Sequence, residues 1–254
     1  MKTLHGRSSQ VGLTLLETAL ILLVAGLMTW SAFSVYGGVQ DAQTRREAQH
    51  SARQLQGQLR AYALRQGRLP CPDTSAGATG YEDLLGGACA PGSQVGWFPY
   101  LSLGLVQPTE ELRARYAVYR QSSATPALDA DLAVSKERNG DAAGQLTYQD
   151  VGDLIVALNT ASLQSPVASL PFVTGDGGLS GPSGCATHVA QQVAYWLVLP
   201  LQDRSGDGQR LDAPNSLSGL CANAASAPVT ASNDDLVLAE SPTQLGGWLR
   251  QNLP

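Results

Sequence analysis

The chain has 254 residues, a formal net charge of -5 and a hydrophobic content of 43%. This apolar content excludes a chain that is disordered throughout, and the length is enough for one soluble domain of ordinary size. Its lysines are Lys2 and Lys136, and its arginines form no basic run. The acidic balance therefore disfavours direct binding of nucleic acid.

The first feature along the chain is an apolar segment at residues 13–36 that carries one carboxylate, Glu17. A helix over this segment would be about 36 Å long, enough to cross the hydrocarbon core of a bilayer, so the segment predicts a membrane span. A carboxylate at the bilayer centre costs about 2.5 to 3.5 kcal/mol and normally has a partner. Taken without its flanking residues, Glu17 could equally extend to the headgroup region.

A short basic leader, MKTLHGRSSQVG, precedes this segment and ends in Gly12, and the next residues are LTLLE. This pattern resembles the type IV prepilin signal, in which a glycine precedes a long apolar helix that starts with an apolar-Thr-Leu-apolar-Glu sequence. The resemblance implies that a prepilin peptidase cleaves between Gly12 and Leu13 and that Leu13 becomes an N-methylated amino terminus. An ordinary secretory signal would instead be removed together with its apolar run.

The same resemblance implies a location and partners. The chain would be a single-pass inner-membrane protein of a Gram-negative bacterium, with its carboxy-terminal domain in the periplasm, and would enter an extracellular pilus after assembly. Thr14 and Glu17 would serve assembly with other pilins or pseudopilins through the amino-terminal helix. Glu17 would pair there with the amino terminus of a neighbouring subunit.

Residues 39–66 are rich in Ala, Gln, Arg and Glu, with an apolar stripe at helical spacing, and predict the second half of a long helix. Gly37 and Gly38 are a weak point at which this helix could bend. Prolines in the stretch 67–72 end it. The predicted organisation is a cleaved leader at 1–12, a membrane and assembly segment at 13–36, a periplasmic half-helix at 37–66 and a globular pilin-like domain at 67–254.

Four cysteines follow the leader and the long helix: Cys71, Cys89, Cys185 and Cys221. An even number in a domain expected beyond the cytoplasm predicts two disulfides, each worth about 2 to 4 kcal/mol. Of the three possible pairings, the one between nearest neighbours joins Cys71 to Cys89 and Cys185 to Cys221. Zinc is disfavoured, because no two cysteines have the short spacing of a zinc knuckle.

Beyond Gly67 the pattern changes to short apolar runs between Gly, Pro, Asn and Asp, which predicts strands at 116–120, 154–158, 193–199 and 236–238. Residues 126–144 and 175–185 are predicted loops. Ser241, Pro242 and Gln244 predict the N-cap, first position and capping box of a short helix that ends at Leu249. A long helix followed by a mostly antiparallel sheet with long loops is an α+β plan.

Four further motifs resemble those of a subgroup of minor prepilin-like proteins: RLPCPD at 68–73, GWFPYLSLGL at 96–105, RYAVY at 115–119 and NDD at 233–235. The resemblance implies a minor type IV pilin that acts in pilus assembly, in its priming or at its tip. Long loops also favour a low-copy subunit, because they are hard to tile along a tight filament. A type II secretion pseudopilin carries the same anchor and is the alternative.

The sequence contains no recognisable catalytic motif, so no enzyme is expected. His188 is the histidine of the predicted globular domain, and a lone histidine beside a predicted disulfide is far more often structural than catalytic. The competing hypothesis from another class is a membrane-anchored periplasmic enzyme or binding protein with a pocket around His188.

Oxygen side chains alternate in the loop that holds Asp203, Ser205 and Asp207, as in the first half of a calcium-binding loop, and Asp212 could add a ligand. Pro214 takes the twelfth position, where an EF-hand needs glutamate, so a complete EF-hand is excluded. The competing interpretation is a solvated hairpin turn with Gly and Asp at its tip. Apart from this calcium, no cofactor is expected.

Overall fold

A computed structural model of the chain describes residues 15–141, 149–185, 189–215 and 218–253. The chain divides into two compact units, Met1–Arg46 and Glu47–Pro254, which we describe separately. The protein belongs to the α+β class, with an amino-terminal helix, antiparallel sheets and two disulfides. This agrees with the class that the sequence predicts.

Helix α1, Leu15–Gln66, has 52 residues and continues through Gly37 and Gly38, the predicted weak point. It ends where the sequence predicts. Gly67 has a positive φ of 59°, and its N–H donates to the carbonyl oxygen of Ala63 at 3.0 Å. A glycine ends a helix readily in this way, because any other side chain would be strained in that conformation.

Among the residues that the structure describes, no helix is both long enough and apolar enough to cross a membrane. The structure therefore gives no support to the predicted span at residues 13–36. The first two residues of that segment, Leu13 and Thr14, lie outside the described ranges, as does the leader with Gly12.

The strands of the described ranges are short. They are β1 Leu84–Leu85, β2 Ala88–Cys89, β3 Val95–Trp97, β4 Arg115–Val118, β5 Arg120–Gln121, β6 Ala130–Asp131, β7 Phe172–Val173, β8 Gln191–Gln192, β9 Tyr195–Leu199, β10 Cys221–Ala222 and β11 Leu236–Glu240. The central sheet has four antiparallel strands in the order β11-β9-β4-β3. Strand β7 pairs antiparallel with β8 and parallel with β10, while β1-β2 and β5-β6 are antiparallel pairs.

The central sheet carries apolar side chains on both faces, because successive strand residues point to opposite sides. Tyr116 of β4 lies opposite Leu197 of β9 on the first face, and Ala117 lies opposite Trp196 on the second. The first face belongs to a buried cluster that includes residues of three helices. Among these helix residues are Leu59, Leu158 and Leu245. The second face belongs to a smaller cluster that also includes Val198, Leu211 and Val237.

Helix α2, Val151–Leu163, shows that the predicted strand at 154–158 is wrong. Asp150 caps the helix by accepting from the N–H groups of Gly152 and Asp153, and the Asp153 side chain accepts from the N–H of Asp150. The buried side chains follow the helical period. They are Leu154, Ile155, Ala157, Leu158 and Ala161, with Asp153. A five-residue apolar run fits a strand or a buried helix equally, and here the cap decides.

Helix α3, Pro242–Gln251, begins as predicted, with Ser241 as N-cap and Gln244 completing the capping box. It extends two residues beyond the predicted end. Strands β9 and β11 fall at the predicted 193–199 and 236–238, and the predicted strand at 116–120 covers parts of β4 and β5. The predicted loop at 175–185 holds a single bridge between Gly178 and Gly181. The described part of the loop at 126–144 contains the 3-10 helix Pro126–Leu128 and β6; two further 3-10 helices are Leu101–Leu103 and Glu110–Leu112.

Both disulfides join nearest neighbours in sequence. Cys71 pairs with Cys89, with their Cα atoms 5.4 Å apart, and Cys185 pairs with Cys221, with a Cα separation of 5.7 Å. They close loops of 18 and 36 residues, in the irregular parts of the domain where few ladder hydrogen bonds constrain the chain. The nearest-neighbour pairing is confirmed.

Gly96 of β3 offers a test of how closely the chain packs after α1. A Cβ atom at Gly96 would lie 2.5 Å from the carbonyl oxygen of Asp73, so the backbone would have to shift. We expect Gly96→Ala to lower the free energy of unfolding by about 1 to 3 kcal/mol. Gly57→Ala is the matched control: it lies in open space on α1 and should raise that free energy by about 0.5 to 1 kcal/mol. Urea titrations measure both variants. A free energy of unfolding of Gly96→Ala equal to that of the wild type would contradict the packing of Gly96 against Asp73.

Candidate functional site

The first part of α1 presents large apolar side chains on every side. The exposed ones are Leu15, Leu16, Leu20, Ile21, Leu22, Leu23, Val24, Leu27, Met28 and Trp30. Residues 20–24 alone sample the full circumference, since each is turned about 100° from the last. A helix that is apolar all round is stable only where other apolar groups cover it. An exposed apolar surface of this kind indicates an interaction site.

Two threonine hydroxyl groups in this part of α1 are satisfied within the helix. Thr18 Oγ1 donates to the carbonyl oxygen of Leu15 at 2.9 Å, and Thr29 Oγ1 lies 2.9 Å from the carbonyl oxygens of Ala25 and Gly26. Back-bonding of this kind removes the need for a hydrogen-bond partner outside the helix. These two threonines therefore do not prevent the segment from packing in apolar surroundings.

Glu17 is the charged residue of this apolar part and lies in the first turn of α1 as the structure describes it. The predicted cleavage residues Gly12 and Leu13 and the predicted assembly residue Thr14 lie outside the described ranges.

A second candidate lies in the globular unit, where Asp212, Asp234 and Asp235 bring one carboxylate oxygen each within 4.8 Å of one another. All three residues are buried. Asp234 and Asp235 lead into β11, whereas Asp212 lies more than twenty residues earlier, in the loop after β9. The fold therefore assembles this acidic cluster from two separate segments.

Backbone N–H groups hold two of these carboxylates. Asp212 Oδ1 accepts from the N–H groups of Arg204 and Ser205 at 3.0 Å, and its Oδ2 accepts from the N–H of Asp234 at 3.1 Å. Asp234 accepts from the N–H of Gln202 and pairs with Arg204 Nε at 2.7 Å. Two of these five hydrogen bonds lie within the loop after β9, and the other three connect that loop to the segment before β11.

Asp235 differs from the other two carboxylates. Its Oδ2 accepts from the N–H of Asp212 and from Asn215 Nδ2, both at 3.0 Å, but its Oδ1 is buried with no hydrogen-bond partner among the described residues. Burial, together with the charges of Asp212 and Asp234, raises the pKa of Asp235 to about 7. Oxygen ligands suit calcium. Asp235 Oδ1 is thus the oxygen of the cluster that remains for a proton or for a cation.

The loop predicted to bind calcium has its own internal hydrogen bonds. Asp203 turns its oxygens into its own loop, where they accept from the N–H groups of Gly206 at 2.7 Å and Gly208 at 2.8 Å, and Asp207 accepts from the N–H of Gln209. Ser205 Oγ donates to Asp203. Neither Asp203 nor Asp207 joins the cluster around Asp212. These contacts form a solvated turn with Gly and Asp at its tip, although no strand pair flanks the turn among the described residues, and the predicted calcium stays a prediction.

Sequence reasoning missed Asp234 and Asp235 as partners of Asp212. Their signal was the NDD triplet itself, since adjacent carboxylates directly before a buried strand must find donors when the strand is buried. His188 lies outside the described residues.

The chain matches no protein-family model, no curated protein and no solved structure.

The raised pKa of Asp235 predicts a dependence of stability on pH. Between the unfolded pKa of about 3.9 and the folded pKa of about 7, the folded state keeps a proton that the unfolded state has released. The free energy of unfolding should therefore fall as pH rises through this window, by up to about 1.4 kcal/mol per pH unit from this group. Asp235→Asn mimics the protonated form and should remove that fall.

Urea titrations at pH 5 to 8 in EDTA measure this effect, with the exposed Asp203→Asn as the control that retains it. An unchanged slope in Asp235→Asn would contradict the prediction. Repeating the titration at pH 8 with calcium shows whether Asp235 binds a cation or only a proton. A gain in stability that Asp235→Asn abolishes would mean that the cluster holds a cation.

Proposed function

We propose that the chain is a structural subunit of a filament, a minor type IV pilin that is processed by a prepilin peptidase. The observation that carries the proposal is the apolar surface of the first part of α1, exposed on all sides and bearing one carboxylate in its first turn. Burial of apolar surface contributes about 25 cal/mol per Å². Apolar helices of neighbouring subunits would cover this surface in a filament.

Glu17 gives this assembly a register. Apolar side chains pack with little preference for one longitudinal position over another, whereas a charge in apolar surroundings needs its partner at a fixed place. In the proposal, Glu17 pairs with the amino terminus that cleavage before Leu13 creates on a neighbouring subunit. The pair would form only when the two helices are displaced by a defined step along the filament.

The sequence before the helix and the disulfides after it support the proposed location. Gly12 before the apolar segment matches a leader whose removal leaves that segment attached to the domain. The two disulfides are typical of a domain that folds in an oxidising compartment such as the periplasm. In the proposal, residues 13–36 pass through the inner membrane before the subunit is extracted into the filament.

The domain also supports a minor rather than an abundant subunit. Its strands have two to five residues, and the segments 175–185 and 200–220 are irregular wherever they are described. Loops of this length are commonly functional, whereas repeated packing along a filament requires a compact surface. The proposed role lies in priming the filament or at its tip, and it requires no catalysis.

Substitution of Glu17 tests the proposal. Glu17→Ala should leave the protein in the membrane fraction but reduce its incorporation into sheared filaments by about tenfold or more, because the loss of a charge pair in apolar surroundings costs more than about 1.4 kcal/mol. Glu47→Ala, an exposed glutamate further along the same helix, is the matched control and should be incorporated normally. Immunoblots of membrane and filament fractions measure both.

Mass spectrometry of the purified protein provides the second readout. The proposal expects a product that begins at methylated Leu13, and Gly12→Val should abolish its formation. A full-length chain that retains its leader, together with normal behaviour of Glu17→Ala, would instead favour a membrane-anchored enzyme or binding protein.

A further inference from the structure

Asn139 and Gly140 form the one Asn–Gly step of the sequence, and both residues are exposed. The backbone nitrogen that follows an asparagine can attack the side-chain amide of that asparagine, which closes a cyclic succinimide and releases ammonia. Glycine obstructs this attack least, because it has no side chain and its backbone turns freely. Asn139 is therefore the asparagine of the chain whose sequence context most favours this reaction.

A carboxylate already holds the attacking nitrogen. The N–H of Gly140 donates to Glu137 Oε1 at 2.6 Å, which is within the distance at which a general base removes a proton. Glu137 Oε2 is buried and has no hydrogen-bond partner among the described residues. One oxygen of this carboxylate thus lies on the proton to be removed, and no described residue binds the other.

Asp141 holds the amide group of Asn139 at both of its polar atoms. The N–H of Asp141 donates to Asn139 Oδ1 at 2.8 Å, and Asp141 Oδ2 accepts from Asn139 Nδ2 at 2.7 Å. As the Gly140 nitrogen adds to the amide carbon, negative charge develops on Oδ1, where the N–H of Asp141 stabilises it. One turn of the chain thus supplies the nucleophile, its base and a donor for the developing charge.

The turn is anchored on helix α2. The N–H groups of Arg138 and Asn139 donate to Asp153 Oδ1 at 2.6 and 3.1 Å, and Asp153 belongs to the capping box of that helix. Asp153 is itself buried. The backbone before the reacting amide is therefore held in place, and holding reacting groups together lowers the entropic part of a barrier.

We propose that the chain modifies itself at Asn139, which is converted to aspartate and isoaspartate with Glu137 as the general base. Glu137 takes the proton of the Gly140 N–H as this nitrogen bonds to Asn139 Cγ. It returns the proton to Nδ2 as the Cγ–Nδ2 bond breaks and ammonia leaves. Water then opens the succinimide at either of its carbonyl groups, so one water is consumed for each ammonia released. This modification is independent of the assembly function proposed for α1.

Conversion changes the charge of the turn and, in part of the product, its backbone. The new carboxylate at position 139 faces Asp141 Oδ2, which loses the hydrogen bond from Nδ2 and gains a like charge as its neighbour. In the isoaspartate form the main chain runs through the former side chain and is one atom longer before Gly140. Because ammonia is lost, the change is irreversible, and the converted fraction grows with the age of the folded protein.

Timed incubation of the full-length protein in detergent, at pH 7 in dilute buffer, tests the proposal. Samples are digested at acid pH, which stops succinimide formation. Chromatography with mass spectrometry then separates the asparagine, aspartate and isoaspartate forms of the peptide that contains residue 139. The converted fraction at Asn139 should rise with time, while that at Asn252, which is exposed but followed by leucine, should stay far lower.

Two variants test the role of Glu137. Glu137→Gln keeps an oxygen that can accept from the Gly140 N–H but cannot take its proton, so the rate of conversion should fall by about tenfold or more. Glu110→Gln removes the charge of an exposed glutamate elsewhere and is the matched control, which should convert at the wild-type rate. Undiminished conversion in Glu137→Gln, or a wild-type Asn139 that stays unconverted, would overturn the proposal.

Incubation in urea gives a measurement that does not depend on how a variant folds. The folded wild type should convert faster than the unfolded wild type, because the fold holds the base on the Gly140 nitrogen. In urea the wild type and Glu137→Gln should convert at similar rates. Faster conversion of the wild type in urea would show that the fold protects Asn139, and this result would also overturn the proposal.

Discussion

The globular unit depends on one buried carboxylate, Glu240, at the end of β11. The residue is 2% exposed. It accepts hydrogen bonds from Arg60 Nη2 at 2.6 Å and from Gln56 Nε2 at 3.2 Å, both on α1, and from the hydroxyl of Tyr195 on β9. An unpaired carboxylate at this depth would be strongly unfavourable, so α1 must present these donors to the sheet. The rotation and the longitudinal position of this part of α1 against the sheet are thereby fixed.

The same carboxylate also positions the last helix. Ser241, the next residue, is the N-cap of α3, and Arg60 lies 5.3 Å from the ring centroid of Trp248 in that helix. A buried ion pair contributes little net stability compared with apolar residues of the same volume. The benefit here is geometric, because α1, the central sheet and α3 all meet at Glu240. The apolar contacts of Leu59, Leu158 and Leu245 then supply the stabilisation.

Buried acids have a similar role elsewhere in the unit, and this explains how so irregular a chain is held in place. Glu82 Oε1 accepts from the N–H of Cys71 and from Arg68 Nη1, both at 2.6 Å, at the turn that follows α1. Asp153 accepts from the N–H groups of Arg138 and Asn139. Where strands are short, such carboxylates satisfy the backbone N–H groups that a sheet would otherwise pair. Much of the acidic excess of the sequence is therefore internal rather than displayed on a surface.

Features that depend on local contacts could be predicted from the sequence, whereas features that depend on contacts between distant segments could not. The end of α1 at Gln66 and the N-cap of α3 at Ser241 depend on neighbours within a few residues, and both are confirmed. The apolar run 154–158 does not by itself distinguish a strand from a helix, and the cap at Asp150 favours the helix. The cluster of Asp212 with Asp234 and Asp235 depends on the pairing of distant segments, which no local pattern encodes. Local signals fixed the boundaries of elements, and the contacts between distant carboxylates required the fold.

Three buried charged atoms lack a hydrogen-bond partner among the described residues, and two of them, Arg115 Nε and Asp235 Oδ1, belong to residues at the same end of the central sheet. Arg115 begins β4, and Asp235 immediately precedes β11, whose first residue Leu236 lies opposite the last residue of β9. A domain selected only for stability would gain by pairing these opposite charges, yet each is buried separately. Departures from complete pairing are uncommon in protein interiors and concentrate where a ligand or a proton is bound. The end of the sheet covered by the loop after β9 is therefore the part of the globular unit least explained by folding alone.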